Sequence, residues 1–319
     1  MFADSLRPYR WMAASLLVTL IGCSAGSVQR SSADAPAALR LSTEAVTIQM
    51  RDVEYLQVDG KTFQATIYQP QGTGPFPALL DVHGGNWVRE DIRRDEHALM
   101  NKALAAMGIV VVAIDFRQTP QNRYPDSVAD VHFALRWLRA NASRFNASPH
   151  RVGVFGSSSG SHLVLLSSMR SSDPRYAALP LPGTSPDTAT PDYIILTYPM
   201  SDPLTRRAYN QQVGNTAVLK GFDIYFSPSD TLKEANPQLI LERRERVKLP
   251  PVLLLQGTAD GNGPEMQERF AAAYRAAGGK LQLELLTGAP HNFVNTAGVH
   301  LDRALILIKA FIEQQLAGR

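Results

Sequence analysis

The segment RVGVFGSSSGSHL, residues 151–163, sets three serines between two glycines, and only Ser158 has a glycine two positions before it and another two positions after. An apolar run precedes it and a helical pattern, SHLVLLSSM, follows. This is the spacing of a nucleophile elbow, a strained strand-to-helix turn that lifts a serine Oγ above a sheet. Glycines flank it because neighbouring backbone must pass where a Cβ would stand. Serine reacts only when a base removes its proton, and the base needs a partner to set its tautomer. On elbows of this kind the chain order is serine, acid, histidine. Past His162 in the elbow helix itself, the histidines downstream are His291 in GAPHNF and His300. His291 follows the last strand-like run, whereas His300 opens the terminal helical pattern and reads as a surface or capping residue. Asp260 in VLLLQGTAD ends a buried strand and is the leading acid, with Asp202 in YPMSDP second. Attack on a carbonyl also needs donors for the oxyanion. LLDVHGGNW, residues 79–87, offers the backbone N–H groups of Gly84 and Gly85, and the elbow helix offers that of Ser159.

These residues need a scaffold that brings them to one edge. Strand-like runs fall at 53–58, 63–68, 78–82, 109–114, 152–155, 193–197, 252–256 and 281–286, and helical periodicity fills 95–107, 128–140, 159–169, 265–277 and 301–316. Asp59-Gly60 between the first two runs is a hairpin signal. After it strands and helices alternate, which predicts a mostly parallel sheet covered on both faces, with ligands at its carboxyl edge. Residues 171–192 are rich in Pro, Ser and Thr and read as loop. Residues 199–248 are too long for a simple connection and are expected to form an inserted helical lid. Trp87 and Tyr198 are candidates to line the substrate pocket, whereas His83 and His162 read as structural.

Composition narrows the classes. With 319 residues, 45% hydrophobic and 19% charged, the chain is an ordinary globular one. The net charge of +3 is spread along it, so no nucleic-acid patch is expected. No cluster has metal-ligand spacing and no glycine-rich loop carries a phosphate-binding lysine, so neither metal nor cofactor is expected. Near the start, Arg7 and Arg10 precede an apolar run, residues 11–21, of export-signal length. LIGC, residues 20–23, resembles a bacterial lipobox. That resemblance implies a signal peptide over 1–22 and a lipidated Cys23 anchoring the chain to a membrane. Ser24 after the cysteine, in place of an Asp, resembles the outer-membrane sorting pattern, which implies a chain facing the periplasm. Cleavage after Ala25, leaving a soluble periplasmic protein, is the alternative. Cys23 is the one cysteine, and residues 23–44 read as a flexible tether before a domain over 45–319.

HGGNW, the stretch from AIDFRQTP to GSSSGSHL, LLLQGTAD and PHNF together resemble the α/β-hydrolase superfamily over roughly residues 50–319. Within it they are similar to bacterial feruloyl- and acetylxylan-esterase-like proteins, and also to kynurenine formamidases and hormone-sensitive-lipase-like carboxylesterases. The resemblance implies an α/β-hydrolase fold and a serine carboxylic-ester hydrolase acting on small acyl or aryl esters. It assigns the triad to Ser158, Asp260 and His291 and the oxyanion hole to Gly84, Gly85 and Ser159, and it makes Asp115 structural. An amidase or formamidase on the same machinery, or a silent binding protein, are the alternatives. Asn86 stands where a third glycine is common, and Ser161 replaces another frequent glycine.

Overall fold

The computed structural model describes residues 41–317, apart from 43, 90 and 262. The signal-peptide and Cys23 readings, and most of the tether, lie outside the described residues. The folded body starts earlier than 45: Leu41 is buried, and the Ser42 N–H donates to the Met107 carbonyl at 2.8 Å. The apolar Leu41 has a core to join, which composition alone did not reveal.

In chain order the elements are β1 (Ile48–Val58), β2 (Lys61–Pro70), β3 (Phe76–Val82), α1 (Ala98–Ala106), β4 (Val110–Ile114), α2 (Asp126–Asn141), β5 (Ala147–Ser157), α3 (Ser158–Met169) and β6 (Ile194–Thr197). Then come α4 (Pro203–Gln212), α5 (Thr216–Tyr225), α6 (Thr231–Glu234), α7 (Pro237–Glu242), β7 (Val252–Gly257), α8 (Pro264–Ala276), β8 (Leu281–Leu286) and α9 (Val299–Ala317). The strands form one sheet in the order β1-β2-β4-β3-β5-β6-β7-β8. β2 runs antiparallel to both β1 and β4, and the remaining neighbours are parallel.

Local chemistry explains these choices. Asp59 and Gly60 both take positive φ, 52° and 70°, the pairing that a tight hairpin needs to match strand twist. β4, β6 and β7 are buried at every residue, as parallel strands covered on both faces must be. Side chains alternate between two cores. Leu80, Val82, Val112 and Val154 pack with α2 and α3, while Leu79, Val111, Phe155 and Ile195 pack with α1 and α9. Between β6 and β7 the chain inserts α4 to α7, so the long connection is helical. The loops after Val82, Ser157, Thr197 and Gly257 all leave from the carboxyl edge, where the candidate residues gather.

Candidate active site

Ser158 stands at the junction of β5 and α3 with φ of 46°, a region that costs a serine strain unless its surroundings impose it. The surroundings do so through missing atoms. A Cβ on Gly156 would lie 2.8 Å from the Ser161 Cα, and one on Gly160 would lie 2.2 Å from the His83 carbonyl oxygen and 2.4 Å from that of Val82. The first glycine lets α3 fold back over the end of β5, and the second lets α3 lie on the backbone of β3. Ser161, where the resemblance has glycine, adds a tie. Its hydroxyl donates to the Ser158 carbonyl and accepts from the Met200 N–H, the latter at 2.8 Å.

Three of the expected residues meet in a line. The Ser158 Oγ lies 3.1 Å from His291 Nε2, and His291 Nδ1 lies 2.9 Å from Asp260 Oδ2. A carboxylate only accepts, so Nδ1 carries the proton and Nε2 is left to accept from the serine. Asp260 is held behind the histidine by a hydrogen bond from Gln256 Nε2 at 3.1 Å. A Cβ on Gly257 would sit 2.2 Å from the Ala289 carbonyl oxygen, so the glycine lets the end of β7 approach the His291 loop. Asp202 has a different task. It caps α4 by accepting from the Thr205 N–H at 3.0 Å, accepts from Asn236 at 2.8 Å and pairs with Arg269.

The oxyanion loop corrects one expectation. The Gly84 N–H donates to Glu96 Oε2 at 2.9 Å, so it is turned away from a developing oxyanion. What Gly84 supplies is clearance, since a Cβ there would be 3.1 Å from that of Ser158. Three successive positive φ values follow, 106° at Gly85, 53° at Asn86 and 60° at Trp87, and curl the backbone. Gly85 and Asn86 line the cleft beside Ser158 and His291. Asn86 keeps the third-glycine conformation as the residue type most tolerant of it. Its amide also donates to the Val218 carbonyl at 3.1 Å, tying the loop to α5. The Ser159 N–H points from the first turn of α3, where helix amides have no internal partner.

Both pocket aromatics are corrected as well. Trp87 is fully buried. It stacks on Tyr225 at 5.1 Å and 7°, with Phe222, Phe226 and His162 edge-on around it. It welds the oxyanion loop to the inserted helices instead of meeting substrate. Tyr198 is buried behind His291, ring centroids 4.6 Å apart, so it supports the histidine from the protein side. His83 stacks on Phe116 at 4.4 Å and braces the loop, and His162 bonds the Ala235 carbonyl at 2.7 Å. Burial depresses the pKa of His83, and that of His162 to about 4. Asp115 is paired with Arg93 and Arg94.

One contributor escaped the sequence reading. Glu96 accepts from Gly84 through Oε2 and from Asn295 Nδ2 through Oε1 at 3.1 Å, and Asn295 Oδ1 accepts from the Tyr198 hydroxyl at 3.3 Å. The carboxylate therefore buckles the oxyanion loop to the loop that follows His291. Nothing local to Glu96 announces this, because its partners are Gly84 and the distant Asn295.

The cleft itself is about 200 Å³, and Met200, Arg206 and Val218 of the insertion form part of its wall. Among the described residues no group of His, Cys, Asp and Glu is placed to hold a metal ion. No described helix is long and apolar enough to cross a membrane.

The sequence is similar to known proteins over most of this body. A family model described as the alpha/beta hydrolase fold matches residues 79–295. Esterase LipC of Mycobacterium tuberculosis is 30% identical over 76% of this chain and 59% of its own length, and the carboxylic ester hydrolase LipN of the same organism is 31% identical over 76% and 65%. The chain thus spans about three fifths of the length of these two relatives. An ethyl acetate hydrolase of Pseudomonas putida is 24% identical over 83% of this chain and 82% of its own. Among solved structures, esterase 2 of Thermogutta terrifontis phosphorylated by paraoxon superposes with a TM-score of 0.64 at 22% identity, covering 83% of this chain and 94% of that one. The fold, the elbow and the family match agree, and the chain belongs to the alpha/beta hydrolase fold family.

Proposed function

We propose that this protein is a serine carboxylic-ester hydrolase that works through an acyl-enzyme. The observation that carries the reading is the aligned relay from Ser158 Oγ to His291 to Asp260, at 3.1 and 2.9 Å. His291 takes the Ser158 proton as Oγ attacks the ester carbonyl, and Asp260 stabilises the imidazolium. The oxyanion is received by the N–H groups of Gly85, Asn86 and Ser159, aided by the positive end of α3. His291 then protonates the leaving alkoxide. Water, activated by the same histidine, releases the acid. Relatives named as esterases and as an ethyl acetate hydrolase support an ester substrate, and a cleft smaller than the roughly 300 Å³ of ordinary ligand pockets supports a small one.

The full chain and its Ser158→Ala variant, assayed on p-nitrophenyl acetate, p-nitrophenyl butyrate, methyl ferulate and N-formylkynurenine, test this. Ester turnover that vanishes in the variant is the expected result, together with a single diethylphosphoryl adduct on Ser158 after paraoxon. Turnover of the formamide alone would move the reading to an amidase, and full activity in Ser158→Ala would end it.

We also propose that the chain is exported and lipid-anchored through Cys23, facing the periplasm. The reading rests on the Arg7/Arg10, apolar-run and LIGC pattern. Membrane fractionation of the wild type and Cys23→Ser tests it. Unchanged partitioning of the variant would refute the anchor.

A further inference from the structure

Arg206 projects from the inserted helix α4 into the wall of the catalytic cleft, alongside Ser158, His291 and Met200. Its position is built. Nη1 donates to the Gly261 carbonyl at 2.6 Å, in the turn after the catalytic acid, and the guanidinium lies 5.2 Å from the Tyr209 ring centroid. Its charge is unanswered at close range. The other arginines that reach into the body and meet a carboxylate do so directly: Arg117 with Asp130 at 2.8 Å, Arg139 with Asp192 at 3.0 Å, and Arg170 with Glu245 at 2.6 Å. Among the described residues Arg206 has no such ion pair, and its Nε is buried without a hydrogen-bond partner. Burial lowers its pKa, against weaker opposing pulls from Asp260 and Tyr209. The other arginine on the cleft, Arg89, is already joined to Asp91. Glu96 also borders the cleft, but both its oxygens accept from Gly84 and Asn295.

A guanidinium fixed at two points, with its Nη2 donors uncommitted among the described residues, is a receptor for an anionic oxygen, because a charged N–H donates strongly to a carboxylate. We propose that Arg206 is a specificity-determining residue that selects esters bearing a carboxylate group on the acyl or the alcohol portion. The proposal rests on the esterase reading above. It adds the chemical class of the substrate, and it explains why a cleft of this size spends part of its wall on an unpaired cation.

Matched neutral and anionic esters test it by pH-stat titration: ethyl butyrate against monoethyl succinate for the acyl side, and propyl acetate against acetoxyacetate for the alcohol side. In wild type at least one anionic ester is expected to match or exceed its neutral partner in kcat/KM. Arg206→Gln should then lower kcat/KM for that ester about 10- to 100-fold, the range of a hydrogen bond to a charged group. Its neutral partner should change by less than about threefold, and Arg206→Lys should restore part of the loss. An equal fall on both members of a pair would overturn the proposal, because it would make Arg206 only a brace for the Gly261 turn. So would a wild type that turns over the neutral esters and rejects both anionic ones. Binding is read apart from turnover by titrating full-length Ser158→Ala calorimetrically with monoethyl succinate and acetoxyacetate. Heat that disappears in Ser158→Ala/Arg206→Gln supports the anion site even if no ester is hydrolysed, and no heat from either ligand at millimolar concentration counts against it. Thermal unfolding of each variant within a few degrees of wild type shows that the fold is intact, and Arg206→Lys serves where Gln does not fold.

Discussion

Replacing Glu96 with alanine gives the sharpest test of how the oxyanion loop is held. The carboxylate accepts from the Gly84 N–H at 2.9 Å and from Asn295 Nδ2 at 3.1 Å, with its side chain 10% exposed. Truncation removes both acceptors at once. A hydrogen bond to a charged group is worth roughly 1.5–3 kcal/mol, and water entering the space left behind recovers part of that. A net loss of about 2–4 kcal/mol is expected, which for a body of this size lowers Tm by roughly 3–7 °C. The kinetic consequence is separate. With Gly84 released, the following residues Gly85 and Asn86 lose their fixed aim, and misplacing oxyanion donors costs up to about 10²–10³ in kcat. Because those donors act mainly on the transition state, kcat and kcat/KM should fall together, by about a hundredfold, with KM nearly unchanged. Glu96→Gln keeps one acceptor and should fall between. Steady-state kinetics on p-nitrophenyl butyrate and calorimetric unfolding supply both numbers. A variant that loses stability yet keeps kcat within threefold of wild type would show that Glu96 is only a structural tie, and the buckle would lose its catalytic meaning.

Two further outcomes follow from the same geometry. Gly160→Ala places a methyl 2.2 Å from the His83 carbonyl oxygen; such overpacking costs at least about 1–3 kcal/mol, so Tm should fall and paraoxon labelling of Ser158 should slow, and an unaltered labelling rate would contradict the close approach of α3 to β3. Buried His162, with its pKa depressed to about 4 by desolvation, refuses a proton that the unfolded chain accepts below about 6.5. Stability therefore falls as pH drops through that window, by on the order of 2 kcal/mol at pH 5. Urea unfolding at pH 7 and pH 5 should show a smaller loss in His162→Gln than in wild type, and equal losses would mean His162 is not buried neutral.

Much of the scaffold and the meeting of Ser158 with His291 could be read from the chain, because each rests on a local constraint. A strained elbow demands glycines at fixed offsets, so Gly156, Ser158 and Gly160 declare themselves. Fully buried strands demand unbroken apolar runs, and a tight hairpin demands positive φ, which Asp59-Gly60 supplies. Side-chain partnership is not local, and there the tertiary structure decided. Asp260 and Asp202 both follow buried strands, and only the path of the chain puts one against His291 and the other under α4. Trp87 and Tyr198 sit in the sequence beside loops that carry the candidate site, but their rings fill the core because the inserted helices and the His291 loop return to cover them. The choice between Gly84 and its neighbours as oxyanion donors turned on a carboxylate twelve residues away, Glu96, and the direction of a backbone N–H in a loop is set by whatever distant acceptor captures it. Residue types and spacing thus determined which chemistry this protein is equipped for. Which groups face the reacting atoms was left to contacts between segments far apart in the chain, because a side chain's orientation depends on neighbours that only folding supplies.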